Sequence, residues 1–363
     1  MPYDLKTTRV HSWNLGVQRQ LGSNTGVSAT YLGNYLTNVW GDVTGNPGIL
    51  PAGLASPTSP CTLRNPDAPG GSQTYANCSA APLDVRRELT QANPAVGRYI
   101  GYMDWVTDAG WQRYHGLLLS AQQRAVNGIT ASANYTWSSC RGLINQGGTP
   151  LNVGTGYMIP VSLVSPPADQ KAAFEADEGP CANSPTHVFN MTASVETPQF
   201  TSTAARLIAS GWRLSGIFRA QSGSALTVAT GGDRALDGMQ YQRVNQVADN
   251  PYGAKTVDNW LDPQAFAQPA LGTHGTSGRN AYIGMGSRVV DLALVRAFSL
   301  AGTRRVEARI EAFNAFNWFR PLPPDVNPNN NQSPVTNLAS PSFGRYLVVG
   351  DPRIMQFAVK YSF

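Results

Sequence analysis

The sequence predicts an all-β fold: an antiparallel up-and-down transmembrane β-barrel segment of about nine strands, with long outer loops and short periplasmic turns. Only 13% of the 363 residues are Asp, Glu, Lys or Arg, about half the share found in a soluble globular domain. No apolar run approaches the roughly 18 residues of a membrane-spanning helix. Apolar and polar residues instead alternate along the chain, and short connections alternate with long ones.

The last strand shows the alternation most clearly. Because successive side chains of a strand point to opposite faces, a period of two gives this segment one apolar face. The apolar face carries Met355, Phe357, Val359, Tyr361 and Phe363, and the opposite face carries Gln356, Ala358, Lys360 and Ser362.

The same pattern places the other strands in hairpins. The pairs are 9–21 with the strand after 22–24, 111–124 with 129–137, 189–196 with 212–219, and 290–298 with 306–312. Asn127-Gly128, in the second hairpin, is the strongest short hairpin signal. The other connections are long: 37–110, 141–186, 223–287 and 317–352. Alternate connections of a meander lie at opposite ends of the sheet, so this sorting is typical of an outer-membrane barrel.

One face of the later hairpins is charged, which the core of a soluble β-sandwich would not accept. We expect these side chains to face the barrel lumen. There they would contact a plug or a passing solute, or they would pair with one another across neighbouring strands, which is the simpler role. The lumen-facing candidates are Arg213, Arg219, Asp291, Glu307, Arg309 and Glu311. The opposite face is rich in Trp and Tyr and is expected to contact outer-membrane lipid.

The cysteines and the net charge restrict the remaining possibilities. Cys61 pairs naturally with Cys78, and Cys140 with Cys181, because each pair encloses one irregular stretch. Disulfides in loops fit an oxidising compartment, and no Cys or His grouping indicates zinc. The net charge is +5, but the 27 basic residues are spread along the chain. The sequence therefore predicts no nucleic-acid partner.

The chain resembles the C-terminal part of TonB-dependent outer-membrane receptors, specifically the Oar-like group with a carboxypeptidase-regulatory-like domain. The order and spacing of several stretches carry the resemblance, and they are 10–19, 133–138, 260–266, 278–280, 309–317, 343–344 and 350–353. Such receptors are closed barrels of about 22 strands with a plugged lumen. No signal peptide, regulatory-like domain or plug is recognisable in 1–363, so we expect the C-terminal portion of a barrel, incomplete by itself.

The resemblance implies uptake or binding of a large solute, such as an oligosaccharide, a peptide or a metal chelate. It also implies energy from the TonB complex, delivered through a plug that residues 1–363 do not contain. A surface-anchoring or adhesive barrel is the first alternative. A secreted carbohydrate-binding β-sandwich is the second, although it explains neither the sorted loops nor the charged face.

The alternating residues Phe357, Val359, Tyr361 and Phe363 look like the signal that the barrel assembly machinery recognises. An exposed strand edge is able to pair with an edge strand of the machinery, and the aromatic Phe363 suits the membrane interface.

No motif for catalysis is present: the chain has no GxSxG, HExxH or P-loop sequence. We therefore expect neither an enzyme nor a cofactor. The segment 325–329 imitates the start of a calcium loop, but Asn330 replaces the Gly and Thr336 stands where the bidentate Glu belongs. The sequence predicts no metal site.

Overall fold

The computed structural model describes residues 4–143, 162–163, 174–182, 184–239, 242–300, 304–322 and 332–363. Its main feature is one antiparallel sheet whose strands pair in chain order. These strands are β1 Arg9–Leu21, β2 Thr25–Gly45, β3 Met103–Val126, β4 Ile129–Leu143, β5 His187–Glu196, β6 Trp212–Gln221, β7 Ser287–Ser299, β8 Arg305–Phe313 and β9 Ile354–Ser362. The predicted all-β meander is confirmed. Among the described residues the sheet is open, because β1 and β9 each have one neighbouring strand.

The turn between β3 and β4 shows how local sequence sets the pairing. Asn127 and Gly128 both have positive φ, 51° and 79°, as a two-residue type I′ turn requires. A Cβ at Gly128 would lie 2.4 Å from the carbonyl oxygen of Glu196, so only glycine fits between this turn and the end of β5.

The hairpin of β2 and β3 extends further than the sequence pattern predicts. We expected its long connection to span 37–110, but β2 continues to Gly45 and β3 starts at Met103. Asn38 has a φ of 53°, and the register shifts on both sides of Val39. Such a bulge interrupts the period of two, which hides the extension from a sequence pattern.

The strand register separates two faces of the sheet. Leu294 lies opposite both Leu214 and Ile310, so the apolar positions of β6, β7 and β8 share one face. This face is exposed: Phe357 and Val359 of β9 are 71% and 77% accessible. Leaving so much apolar surface in water is unfavourable, whereas lipid covers it without cost.

Aromatic residues lie at the loop end of the apolar face. Tyr31 Oη is 2.8 Å from His115 Nδ1, and Tyr135 Oη is 2.7 Å from His187 Nδ1. Trp13 also packs against the His115 ring. Rings with one polar end suit a membrane–water interface.

The long connections carry the smaller elements. Two-stranded ribbons pair Cys61–Arg64 with Ser72–Tyr75, Ala225–Leu226 with Tyr282–Ile283, Asn245–Gln246 with Phe266–Ala267, and Tyr252–Thr256 with Asn259–Leu261. Gly179–Pro180 pairs with β4. The α-helices are Leu83–Arg86, Glu88–Ala92, Pro94–Gly97 and Thr203–Ala209, and the 3-10 helices are Pro69–Gly71, Cys78–Ala80 and Pro263–Ala265. Across the described ranges no helix has the length and apolar character to span a membrane.

The main apolar core lies in these loops and not against the sheet. Its buried members are Leu226, Val228, Val244, Leu261, Ala265, Phe266, Tyr282 and Phe343. The Phe266 ring meets those of Tyr282 and Phe343 edge to face, with centroids 5.2 Å and 5.6 Å apart. The third and fourth long connections therefore share one core, which makes them a folded structure.

Candidate functional site

The predicted charged positions lie on one face of the sheet. Arg213 and Arg309 both pair with Val295, and this fixes their common side. The remaining candidates, Arg219, Asp291, Glu307 and Glu311, are at even separations from these residues along the same strands, so they share that side. We call this polar face of β1–β9 the inner wall.

Ion pairs join these charges. Arg219 Nη2 is 2.7 Å from Asp291 Oδ2, across neighbouring strands as expected. Arg309 instead pairs along its own strand, at 3.0 Å from Glu307 and 3.5 Å from Glu311, because residues two apart in a strand point to the same side.

The inner wall also contains two charged residues that the sequence analysis did not single out, Glu196 and Arg305. Glu196 of β5 lies 3.5 Å from Arg213, and Arg305 lies 3.7 Å from Glu307. Glu196 was visible only as the polar end of an alternating strand, and its partner depends on the register of β5 and β6. Arginine side chains remain partly exposed on this face: Arg219 is 57% and Arg309 is 42% accessible.

Hydroxyl groups continue the inner wall through the earlier strands. Ser28 contacts Ser120, the Ser132 and Thr192 hydroxyls are 2.8 Å apart, and the Ser194 and Ser215 hydroxyls are 3.1 Å apart. The inner wall therefore carries paired hydroxyl groups on β2 to β6 and paired charges on β5 to β8. Such a surface suits water and polar solutes.

The long connections contact one another at the end of the sheet opposite the short turns. Asn280 Nδ2 donates to the Pro180 carbonyl at 2.7 Å, and the backbone amide of Trp260 donates to the Gly344 carbonyl at 2.9 Å. Tyr102 donates to the Gly238 carbonyl. We call the described residues of 46–102, 174–186, 222–286 and 314–353 the loop cap.

An acidic pair lies inside the loop cap, with Asp237 buried and Asp233 half-buried. The Gln242 amide nitrogen donates to Asp233 Oδ1 at 2.7 Å and to Asp237 Oδ1 at 2.8 Å. Burial raises the pKa of the Asp233 carboxyl, and the nearby Asp237 charge raises it further. Arg86, from the first long connection, donates to the Leu236 carbonyl, and burial lowers the pKa of its guanidinium group. His274 Nε2 lies 2.9 Å from Asp237 Oδ2.

A second buried charge pair holds the second long connection. Arg243 Nη1 donates to the Ala176 carbonyl at 2.7 Å and lies 3.5 Å from Asp177 Oδ1. Both side chains are almost fully buried. Removing one partner of such a pair is costly because the other charge stays buried, so this contact orients the segment after β4.

The structure contains both disulfides. Cys61–Cys78 closes the first long connection beside Leu63 and Ala81, where it is buried. Cys140–Cys181 joins the loop end of β4 to the second connection, and the Cys181 amide donates to the Cys140 carbonyl at 3.1 Å.

The described residues contain no group of His, Cys, Asp and Glu that could hold a metal ion. The calcium-like segment 325–329 and the following Asn330 lie outside the described residues. Thr336, which stands where the bidentate Glu would belong, is described and buried. The side chains of this site offer ion pairs and hydroxyl groups on the inner wall, with the folded loop cap above it.

No curated protein matches the chain. A likeness to "The crystal structure of the outer membrane transporter YddB from Escherichia coli" covers 87% of this chain and 30% of that chain, at 10% identity and a TM-score of 0.41.

A protein-family model matches most of the chain, and its description agrees with a sheet that has one apolar and one polar face. The model matches residues 1–356 and describes an outer membrane beta barrel domain. With an apolar, aromatic-edged outer face and a polar inner wall, the chain belongs to this outer membrane beta barrel domain family and resides in the outer membrane.

Proposed function

We propose that the chain forms part of the wall and the outer loops of a TonB-dependent outer-membrane transporter that binds and imports a large solute. One observation carries the proposal: the inner wall presents partly exposed arginines beneath a folded loop cap. Arg219 is 57% accessible although it pairs with Asp291, so it keeps donors free for a plug or a solute.

The size of the solute follows from the breadth of the wall. Nine strands spaced about 4.8 Å apart span roughly 38 Å between the two edges, and the sheet does not close among the described residues. A wall of this width suits a wide lumen that admits an oligosaccharide, a peptide or a metal chelate. Energy from the TonB complex, delivered through a plug domain, is part of the same proposal.

A surface-anchoring or adhesive barrel is the second candidate, and the loop cap favours it. The cap has its own core and two disulfides, which would let it serve as a binding head while the sheet only anchors it. The two functions differ in whether the inner wall takes part.

Uptake measurements distinguish them. The gene is deleted in its native bacterium, and the uptake of a ferric chelate, a maltodextrin mixture and a peptide mixture is measured with and without a protonophore. The proposal predicts that one probe loses protonophore-sensitive uptake and that the intact gene restores it. Arg219→Gln in the restored gene should lower that uptake, whereas Asp249→Asn on the exposed cap surface should not. Unchanged uptake of every probe, together with lost surface adhesion, would support the adhesive function instead.

A further inference from the structure

The connection between β5 and β6 exposes apolar side chains at the turn end of the sheet. It contains the helix Thr203–Ala209, whose N-cap Ser202 accepts a hydrogen bond from the Ala205 amide at 3.2 Å. Leu207 and Ile208 are 69% and 68% accessible, and Phe200 ahead of the helix is 40% accessible. A short connection in water gains nothing from this exposure.

The helix is fixed to the apolar face of the sheet and not to the inner wall. Trp212 Nε1 donates to the Ile208 carbonyl at 2.8 Å, and Arg296 donates to the Leu207 carbonyl. Trp212 and Arg296 are direct partners in the register, two residues from the apolar pair Leu214 and Leu294. Both anchors of the helix therefore point to the side that faces lipid.

Further side chains at the same level fit a lipid interface. Phe298 and Leu300 are exposed, and the Arg296 guanidinium lies 4.8 Å from the Trp212 ring centroid and 4.6 Å from that of Phe298. Within the described ranges, Arg296 has no ion pair with a carboxylate. A cation flanked by aromatic rings at the edge of an apolar face suits the phosphate groups of phospholipids.

We propose that the helix Thr203–Ala209 is an interfacial anchor for the inner leaflet of the outer membrane. Leu207 and Ile208 enter the boundary between headgroups and acyl chains, as the apolar face of an interfacial helix does, and Arg296 faces the phospholipid phosphates. Continuity with the lipid-facing surface and the complementary charge of Arg296 identify the occupant as phospholipid. The proposal rests on the outer-membrane location and on short turns being periplasmic; it is independent of transport.

Arg206 provides a matched control. At 3.6 residues per turn it lies on the side of the helix away from the midpoint of Leu207 and Ile208, and it is also exposed. A probe at this position therefore reports the aqueous side of the same helix.

The test uses the protein expressed from its own gene, purified from outer membranes and reconstituted into vesicles of phosphatidylethanolamine and phosphatidylglycerol. Leu207→Cys, Ile208→Cys and Arg206→Cys are labelled separately with a polarity-sensitive fluorophore, and heat-modifiable mobility confirms that each variant is folded. We expect nitroxide-labelled phospholipid to quench the label at 207 and 208 about threefold more than at 206, and aqueous iodide to show the reverse order. Equal iodide quenching at all three positions, without quenching from lipid, would overturn the proposal and indicate a surface for a periplasmic protein.

Discussion

Arg219 and Asp291 connect two neighbouring strands of the inner wall, and Asp291 also fixes the start of the last long connection. Arg219 Nη2 donates to Asp291 Oδ2 at 2.7 Å, while Asp291 Oδ1 accepts the backbone amide of Asn314 at 2.9 Å. The Asp291 side chain is 15% accessible, against 57% for Arg219. The carboxylate is therefore the less replaceable partner.

This asymmetry predicts unequal effects of two truncations. Asp291→Ala should lower the free energy of unfolding by about 1.5–3 kcal/mol, because two hydrogen bonds to a largely buried charge are lost. Arg219→Ala should cost less than about 1 kcal/mol, since an exposed arginine contributes little. Urea unfolding in detergent, followed by tryptophan fluorescence, measures both, with Asp291→Asn as a control that keeps the acceptor for Asn314. A larger effect of Arg219→Ala would contradict the assignment.

The disulfides should stabilise the loop cap to different extents. Cys140–Cys181 spans 41 residues and Cys61–Cys78 spans 17. If a disulfide stabilises by restricting the unfolded chain, replacing Cys140 and Cys181 by serine lowers the free energy of unfolding by about 4 kcal/mol. Replacing Cys61 and Cys78 lowers it by about 3 kcal/mol. Thermal scans of the two double variants, with protease cleavage of each loop, measure this order. A greater loss on removing Cys61 and Cys78 would show that local packing, not loop length, decides.

The half-buried carboxyl of Asp233 predicts a pH dependence of the cap. Burial raises the pKa of this carboxyl above its ordinary value of 3.8. At a pH between 3.8 and the raised pKa, Asp233 is therefore deprotonated when the cap is locally unfolded and protonated when the cap is folded. The stability of the cap should therefore fall as pH rises through this window and stay level above it. Asp233→Asn should remove the slope, and Asp249→Asn, at an exposed carboxyl of the same loop, should keep it. Hydrogen exchange of 225–239, corrected for the intrinsic rate, measures the slope; a slope that survives in Asp233→Asn would refute this origin.

The assembly signal on β9 stays a prediction. Phe363 is 92% accessible, and its ring centroid lies 6.0 Å from that of Tyr361, so both aromatics are available to the barrel assembly machinery. Deleting Phe363, or replacing Tyr361 by Ala, should lower the amount of heat-modifiable protein in outer membranes. Ser362→Ala, on the opposite face, should leave it unchanged. Equal amounts in all variants would count against the signal.

The sheet could be predicted from sequence because its determinants are local. The alternation along β9 and the turn at Asn127-Gly128 specify strands and hairpins within a few residues. The bulge at Asn38 marks the limit of this reasoning: once the period is broken, the continuation of β2 leaves no pattern to follow.

The loop cap could not be predicted, because its contacts are distant in sequence. Arg86 reaches the carbonyl of Leu236, 150 residues away, and neither residue signals the other. Asp233 and Asp237 are four residues apart and Gln242 follows them, a spacing that a polar cluster inside a folded cap and a solvated loop have in common. Nothing local distinguishes such a cluster from a solvated loop, since burial comes from the surrounding core.

The central claim, that the polar face is the lumen wall and the apolar face meets lipid, is tested most directly on two adjacent residues of β7. Ala293 lies opposite Ser215 and Glu311 on the inner wall, and Leu294 lies opposite Leu214 and Ile310. Ala293→Cys and Leu294→Cys are introduced singly into the protein expressed from its own gene, spin-labelled and reconstituted in lipid. For each label, the relaxation caused by dissolved oxygen is compared with the relaxation caused by a water-soluble nickel chelate. We predict that oxygen, which concentrates in lipid, dominates at 294 and that the nickel chelate dominates at 293. The same ratio at both positions, or the reverse order, would contradict the account.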